Sequence, residues 1–239
     1  PKASLMSETA VITGASSGVG KSLAIQLSDA GYRVVLAARS EDKLNAIAEE
    51  IRSKGGDSLV VSTDVSRPEQ INNLKDRALE YGDVSVVINN AGLGKFSKVE
   101  DVAIEDWDRQ LDVNLRASFL VSQAFIPGMK QRLNGTLVFM NSVAGKKGYP
   151  YSAAYVASKY GMRGLADSLR EELREDNIKV ISIHPGAVDT PFWDGTGVNF
   201  PREEMLDTNT LAQSIVHTIQ SPGNFTVEEL VVRRTAGDF

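Results

Sequence analysis

Tyr155 and Lys159 stand four residues apart in "YVASK", so a helix would carry both on one face. An ordinary tyrosine, with a pKa of ~10, is a poor base at neutral pH. An ammonium one turn away favours the phenolate and lowers that pKa, which makes the pair a usable general acid/base. Thirteen residues ahead of Tyr155, Ser142 in "NSVAG" offers a hydroxyl able to orient a carbonyl oxygen. Taken alone the pair is a weak signal, because tyrosine and lysine are common and such a helix face is usually just solvated.

A second stretch, "TGASSGVGKS" (Thr13–Ser22), can hold phosphate in two ways. Counted from Ala15 it falls one residue short of the nucleoside-triphosphate loop G-x-x-x-x-G-K-[ST], with Lys21 and Ser22 as working residues and Asp64 as the acid on the Mg²⁺ side. Counted from Gly14 it is a glycine-rich turn of the dinucleotide-binding kind. There Gly14 permits the tight turn, Gly18 lets backbone approach phosphate, and Gly20 lets the helix pack on the sheet. Ser16, Ser17 and Val19 fill the rest of that turn, where unpaired N–H groups of a helix N-terminus meet the anion.

The elements that must position these residues follow from hydrophobic periodicity. Apolar, β-branched runs at 9–13, 33–38, 58–62, 84–88, 135–140, 179–184 and 228–232 are nearly continuous, as in strands of a parallel sheet buried on both faces. Helical patterns predict helices at 18–30, 41–54, 68–81, 105–132, 153–176 and 209–220. Leu111, Leu115, Phe119, Ser122 and Ile126 form one stripe, and Leu165, Leu169 and Leu173 another. Seven strands joined by right-handed crossovers make an α/β, doubly wound (Rossmann) sheet with helices on both faces. No linker or repeat divides it, so 8–239 reads as one dinucleotide-binding catalytic domain, preceded by a leader over 1–7.

Composition narrows the partners. The 239 residues are 42% hydrophobic and 24% charged, as in a globular protein, and carry a net charge of −5. That balance argues against nucleic acid or an anionic membrane as partner. No apolar run is long enough to span a membrane. The absence of cysteine excludes disulfide and thiolate chemistry and is compatible with the cytoplasm. No metal site is expected: His184 reads as a structural strand-end residue, and His217 lacks ligand spacing.

All the candidate motifs fall at carboxyl ends of strands, where open α/β sheets bind ligands. Their ordered set is T-G-x-x-x-G-x-G at 13–20, D-V at 64–65, N-N-A-G at 89–92, Asn114, Ser142, Y-x-x-x-K at 155–159 and P-G at 185–186. It resembles the short-chain dehydrogenase/reductase family over essentially the whole chain from about residue 8. The resemblance implies that Tyr155 exchanges the proton, Ser142 polarises the carbonyl, and Lys159 bonds the nicotinamide ribose and depresses the tyrosine pKa. Asn114 would hold a water linking Lys159 to solvent. Asp64, beside Val65, would accept from the adenine amino group or else merely cap its turn. Asn90, Ala91 and Gly92 would pass beside the adenosine ribose, while Pro185, Gly186, Val188 and Thr190 would seat the nicotinamide.

Family members that use NAD typically carry an acid at the end of strand two, where this chain has Ala37 and Ala38 and then Arg39. A guanidinium can grip a 2′-phosphate that a carboxylate would repel, so Arg39, with Ser16 and Ser40, points to NADP. The expected activity is that of an NADP(H)-dependent carbonyl reductase interconverting a small ketone or aldehyde with its alcohol, mainly by reduction. Leu93, Phe96, Tyr149, Phe192 and Trp193 are candidates for an apolar pocket, and the glycine-bearing segment 189–204 for a mobile loop. Small and apolar positions in the helices over 105–132 and 153–176, including Ala157, Gly161, Gly164 and Ala166 of the second, suggest close contact in a homotetramer or homodimer. The alternatives are a P-loop NTPase and a non-enzymatic dinucleotide-sensing protein on the same fold.

Overall fold

The computed structural model describes residues 8–239, and the expected leader over 1–7 lies outside them. Strands β1 (Glu8–Thr13), β2 (Arg33–Ala38) and β3 (Ser58–Ser62) alternate with helices α1 (Gly18–Asp29), α2 (Glu41–Ser53) and α3 (Pro68–Tyr81). After β4 (Asp83–Asn89) come α4 (Ile104–Gln110), α5 (Ala117–Arg132), β5 (Gly135–Met140) and α6 (Ala153–Glu172). The chain finishes with β6 (Ile178–Pro185), α7 (Thr208–Ile219) and β7 (Glu229–Val232). All seven strands are parallel, in the order β3-β2-β1-β4-β5-β6-β7.

Both faces of the central strands are buried, which is why they read as nearly continuous apolar runs, whereas the edge strands β3 and β7 are partly exposed. On one face Ala10, Ile12, Leu36 and Ile88 pack against Leu23 and Leu27 of α1, Leu44 and Ile51 of α2, and Leu211 and Ile215 of α7. On the other, Val11, Val35, Val87 and Phe139 meet Leu74 of α3, Phe125 and Met129 of α5, and Met162 and Ala166 of α6. Neighbours in sequence thus serve opposite layers, as the two-residue period of a strand requires. Among the described residues no helix is long and apolar enough to cross a membrane.

The expected helix over 105–132 is interrupted. Between α4 and α5, Leu111–Arg116 winds as a π-helical segment. A turn of this kind admits an extra residue and rotates the next turns by about 100° relative to a straight α-helix. The expected stripe is displaced accordingly. Ala117, Ser118, Val121, Ser122, Phe125 and Met129 are buried, whereas Phe119 is 44% exposed. Asn114 sits inside the π segment and is fully buried.

Strand order reverses direction between β1 and β4, where the crossovers to β2 and to β5 depart on opposite sides. A crevice opens there at the carboxyl ends of the strands.

Candidate active site

A cavity of about 1550 Å³ fills that crevice and runs from the end of β2 to the loops after β5 and β6. Its floor begins at the β1–α1 turn, where Gly14, Ser16, Ser17, Gly18 and Val19 line it. Ser17 is the N-cap of α1 but its side chain bonds none of the helix N–H groups. The first turn, Gly18–Lys21, carries no carboxylate. Unpaired N–H donors and an uncompensated positive helix end fit a pyrophosphate. Gly18 has φ +54°, and a Cβ there would stand 3.1 Å from the Thr190 side chain. Gly20 lies below the cavity, and a Cβ on it would come within 2.2 Å of the Gly14 carbonyl oxygen.

The "NNAG" segment fastens this turn. Asn90 Nδ2 donates to the carbonyls of Thr13 and Gly14 at 3.0 and 3.1 Å. The Thr13 hydroxyl accepts from the backbone N–H of Asn90 and of Ala91, at 3.0 and 3.1 Å. Asn90, Ala91 and Gly92 all border the cavity, with the Asn90 side chain committed to the glycine turn.

At the end of the cavity beside β2, Arg39, Ser40, Asp64 and Val65 line the wall. One Asp64 oxygen accepts from the N–H and hydroxyl of Ser66, at 3.0 and 2.7 Å. The Ser66 hydroxyl, aided by Arg39 and Arg67, holds this carboxyl below its ordinary range. The turn-capping reading of Asp64 is therefore real, and the residue still reaches the cavity. Lys43, which the sequence reading missed, joins Arg39 on this wall. Its signal was its place one helical turn beyond Arg39, in the first turn of α2.

Ser142, Tyr155 and Lys159 converge at the other end. Burial pushes the Tyr155 phenol up to about 12, and the neighbouring Ser142 hydroxyl acts against that rise. Lys159 is 4% exposed, donates to the Met140 carbonyl at 2.9 Å, and is brought down to about 8 by burial. Its ammonium lies 5.6 Å from the Tyr155 ring centre. Burial sets the direction, contrary to the expected lowering of the tyrosine pKa. A proton therefore stays on the phenol at neutral pH, as a general acid requires.

Supporting groups fix Ser142 from behind. Asn141 Oδ1 accepts from the Ser142 N–H at 2.8 Å while Asn141 Nδ2 donates to the Lys159 carbonyl at 3.0 Å. Asn114 does not line the cavity. Its side chain pairs with both backbone groups of Leu93 at 2.9 Å and with the Ser158 hydroxyl at 3.0 Å. His184 is wholly buried, its Nδ1 2.9 Å from the Ser142 carbonyl oxygen. Its Nε2 has no hydrogen-bond partner among the described residues and stands 3.5 Å from Glu229, which Lys146 and Arg163 also hold.

Pro185 at the end of β6, and Gly186, Val188 and Thr190 beyond it, continue the wall. In the adjoining segment the Phe96 N–H donates to the Thr196 carbonyl at 3.1 Å, and Arg202 pairs with Asp189 and Asp194. Leu93, Phe96, Tyr149, Phe192 and Trp193 all face the cavity. So do Arg234, Gly237, Asp238 and Phe239 from beyond β7, which sequence reasoning did not single out.

The residues needed for a nucleoside-triphosphate loop point elsewhere. Lys21 pairs with Glu50 at 3.7 Å, and the Ser22 hydroxyl donates to Asn209 at 2.8 Å. His217 is exposed on α7. Among the described residues no three His, Cys, Asp or Glu side chains are grouped to hold a metal.

Known proteins share this architecture. The family model for short chain dehydrogenases matches residues 8–197. An uncharacterized oxidoreductase of Staphylococcus epidermidis is 34% identical over 97% of this chain and 99% of its own. The sepiapterin reductase of Chlorobaculum tepidum is 31% identical over 98% of each chain. Among solved structures, an alcohol dehydrogenase from the archaeon Thermococcus sibiricus, complexed with 5-hydroxy-NADP, superposes with a TM-score of 0.89. It is 33% identical, over 95% of this chain and 97% of its own.

Proposed function

The chain belongs to the short-chain dehydrogenase family, and from that premise we propose that it is an NADP(H)-dependent oxidoreductase interconverting a ketone or aldehyde with an alcohol. The observation that carries this reading is one continuous cavity with Arg39 and Lys43 at one end and Ser142, Tyr155 and Lys159 at the other. When bound, the dinucleotide supplies the hydride. The glycine turn and α1 N-terminus hold its pyrophosphate, and Arg39 with Lys43 meets a 2′-phosphate. The NADP-type ligand of the Thermococcus structure favours the same choice.

In the reducing direction, Ser142 donates to the carbonyl oxygen and so polarises the carbon that accepts hydride. Tyr155 gives its proton to that oxygen as the alcohol forms, and recovers one from solvent. The phenol is protonated at neutral pH, as the acid of a reduction must be. Lys159 stabilises the phenolate left behind, and its ammonium would bond the nicotinamide ribose when the dinucleotide is bound. Asn114 holds Leu93, and with it the wall beside Tyr155, in place. The reading carries a cytoplasmic setting, with which a cysteine-free chain is compatible.

Loss of NADPH absorbance across a panel of carbonyl compounds tests the proposal, with Tyr155→Phe as control. Turnover should fall by about 10²-fold or more in the variant while NADPH still binds. A parent protein that binds NADPH and reduces nothing would instead favour a dinucleotide-sensing role.

We propose further that the outer faces of α5 and α6 build a homodimer or homotetramer. Phe119 and Tyr160 are 44% and 45% exposed there, and a Cβ on Gly164 would meet nothing. Ala166 and Gly161 are not part of that surface: the first is buried, and the second packs on Leu115. A concentration-independent monomer mass in light scattering would refute the assembly.

A further inference from the structure

Aromatic rings form a continuous path from the catalytic end of the cavity to its outer wall. Tyr155 meets Phe96 at 5.4 Å and Phe192 at 5.6 Å between ring centres. Phe192 meets Trp193 at 5.2 Å, Trp193 meets Phe200 at 5.4 Å, and Phe200 stacks on Phe239 at 4.7 Å. Gly94 makes room for this packing, since a Cβ there would lie 2.6 Å from Phe192 and 2.9 Å from Phe96.

The polar groups on the same wall are already satisfied by one another. Trp193 Nε1 donates to the Val188 carbonyl at 3.0 Å, and Arg234 pairs with Glu204 while covering the Phe239 ring at 3.9 Å. Asp238 takes the Tyr149 hydroxyl, Lys147 at 3.0 Å and Arg233 at 2.9 Å. Half-buried ring faces and edges are what this wall has left to offer a ligand. Such surfaces bind flat π-systems by offset or edge-to-face contact. The opposite rim, from α4 and the π segment, presents Glu105, Asp108 and Asp112 against a single Arg109. That excess of negative charge disfavours a carboxylated substrate.

Resting on the reductase reading, we propose that Phe96, Phe192, Trp193, Phe200 and Phe239 form a subsite selecting uncharged carbonyl compounds that bear a flat ring system. The carbonyl lies at Tyr155 and the ring along the aromatic path. Small aliphatic ketones leave the path unfilled, and keto acids meet the acidic rim.

The test compares 2-acetonaphthone, acetophenone, 2-butanone and phenylglyoxylate as substrates with NADPH. The expected order of kcat/KM places 2-acetonaphthone about tenfold or more above 2-butanone, and phenylglyoxylate below acetophenone. Trp193→Leu and Phe200→Leu should shrink the naphthyl-to-butanone ratio, with NADPH titration reporting an intact fold. Calorimetry of 2-acetonaphthone with the NADP⁺-loaded protein, where no reduction can occur, gives a readout free of turnover. Equal use of 2-butanone and 2-acetonaphthone would overturn the subsite, as would equal losses for both in Trp193→Leu. Binding of the naphthyl ketone without turnover would keep the subsite and defeat the reductase reading. Neither binding nor preference would defeat the subsite itself.

Discussion

His184 Nδ1 and the Ser142 carbonyl oxygen lie 2.9 Å apart across the end of the sheet, tying the end of β6 to the turn that carries Ser142. Burial lowers the His184 pKa, so the ring is neutral, and its Nδ1–H donates to that carbonyl.

This bond predicts a positioning role. His184→Leu should leave the Ser142 carbonyl unpaired and lower kcat by about tenfold, a cost of ~1–2 kcal/mol, with little change in the KM for NADPH. His184→Asn restores a donor close to Nδ1 and should recover most of the loss. Equal damage from both substitutions would mean that the ring's bulk, not its hydrogen bond, matters.

Cofactor preference rests on the wall at the end of β2. NADPH should bind more tightly than NADH by about 1.5–3 kcal/mol through Arg39, with a smaller share, ~0.5–1 kcal/mol, from the exposed Lys43. Ala38→Asp combined with Arg39→Ile should narrow or reverse that preference, and Lys43→Ala should weaken NADPH binding while sparing NADH. Calorimetric Kd values for both cofactors decide it. Equal affinities in the parent would refute the assignment.

Within the glycine turn, two substitutions separate the phosphate-binding readings. Gly18→Val forces a branched side chain into a left-handed backbone facing Thr190 and should abolish NADPH binding. Lys21→Ala removes only a surface pair with Glu50 and should cost at most ~1 kcal/mol. Comparable losses in both, with Mg²⁺-dependent ATP hydrolysis by the parent, would assign the turn to a nucleoside triphosphate instead.

Lys159 should be a stability cost in the empty protein. Its folded pKa of about 8 lies below the ~10.4 of a free lysine, so the unfolded chain binds more protons between these values. Stability from this group therefore rises with pH across that window, and below it the penalty of the buried charge is complete. Lys159→Met should be more stable than the parent at pH 7 by on the order of 1–3 kcal/mol, the advantage shrinking above pH 8. Thermal melts of both proteins across pH 7–10 would check it; a constant difference would contradict the sign.

Much of this site was legible because strand ends fix backbone. "TGASSGVG", "NNAG", "NSVAG" and "HPG" each come directly after an apolar run, so parallel pairing brings them to one edge. The π segment was not legible, since helical periodicity assumes one residue spacing and Leu111–Arg116 departs from it. Nor was the outer wall: Phe200 and Phe239 stack through tertiary packing between segments with no shared period. The Tyr155 pKa reversed direction because the sequence reveals a neighbouring charge but not the depth at which both groups are buried.

The central place of β1 bears on how the chain is made. Its partner β2 comes soon after it, as Ile12 pairs with Leu36, but its other partner β4 arrives much later, as Ile12 pairs with Ile88. During synthesis, then, β3, β2 and β1 can assemble while one edge of a strand bound for the core still waits for its neighbour. An open edge of this kind invites pairing with other nascent chains. The same switch point that opens a crevice for a dinucleotide leaves the half-made protein dependent on prompt emergence of residues 83–89 from the ribosome.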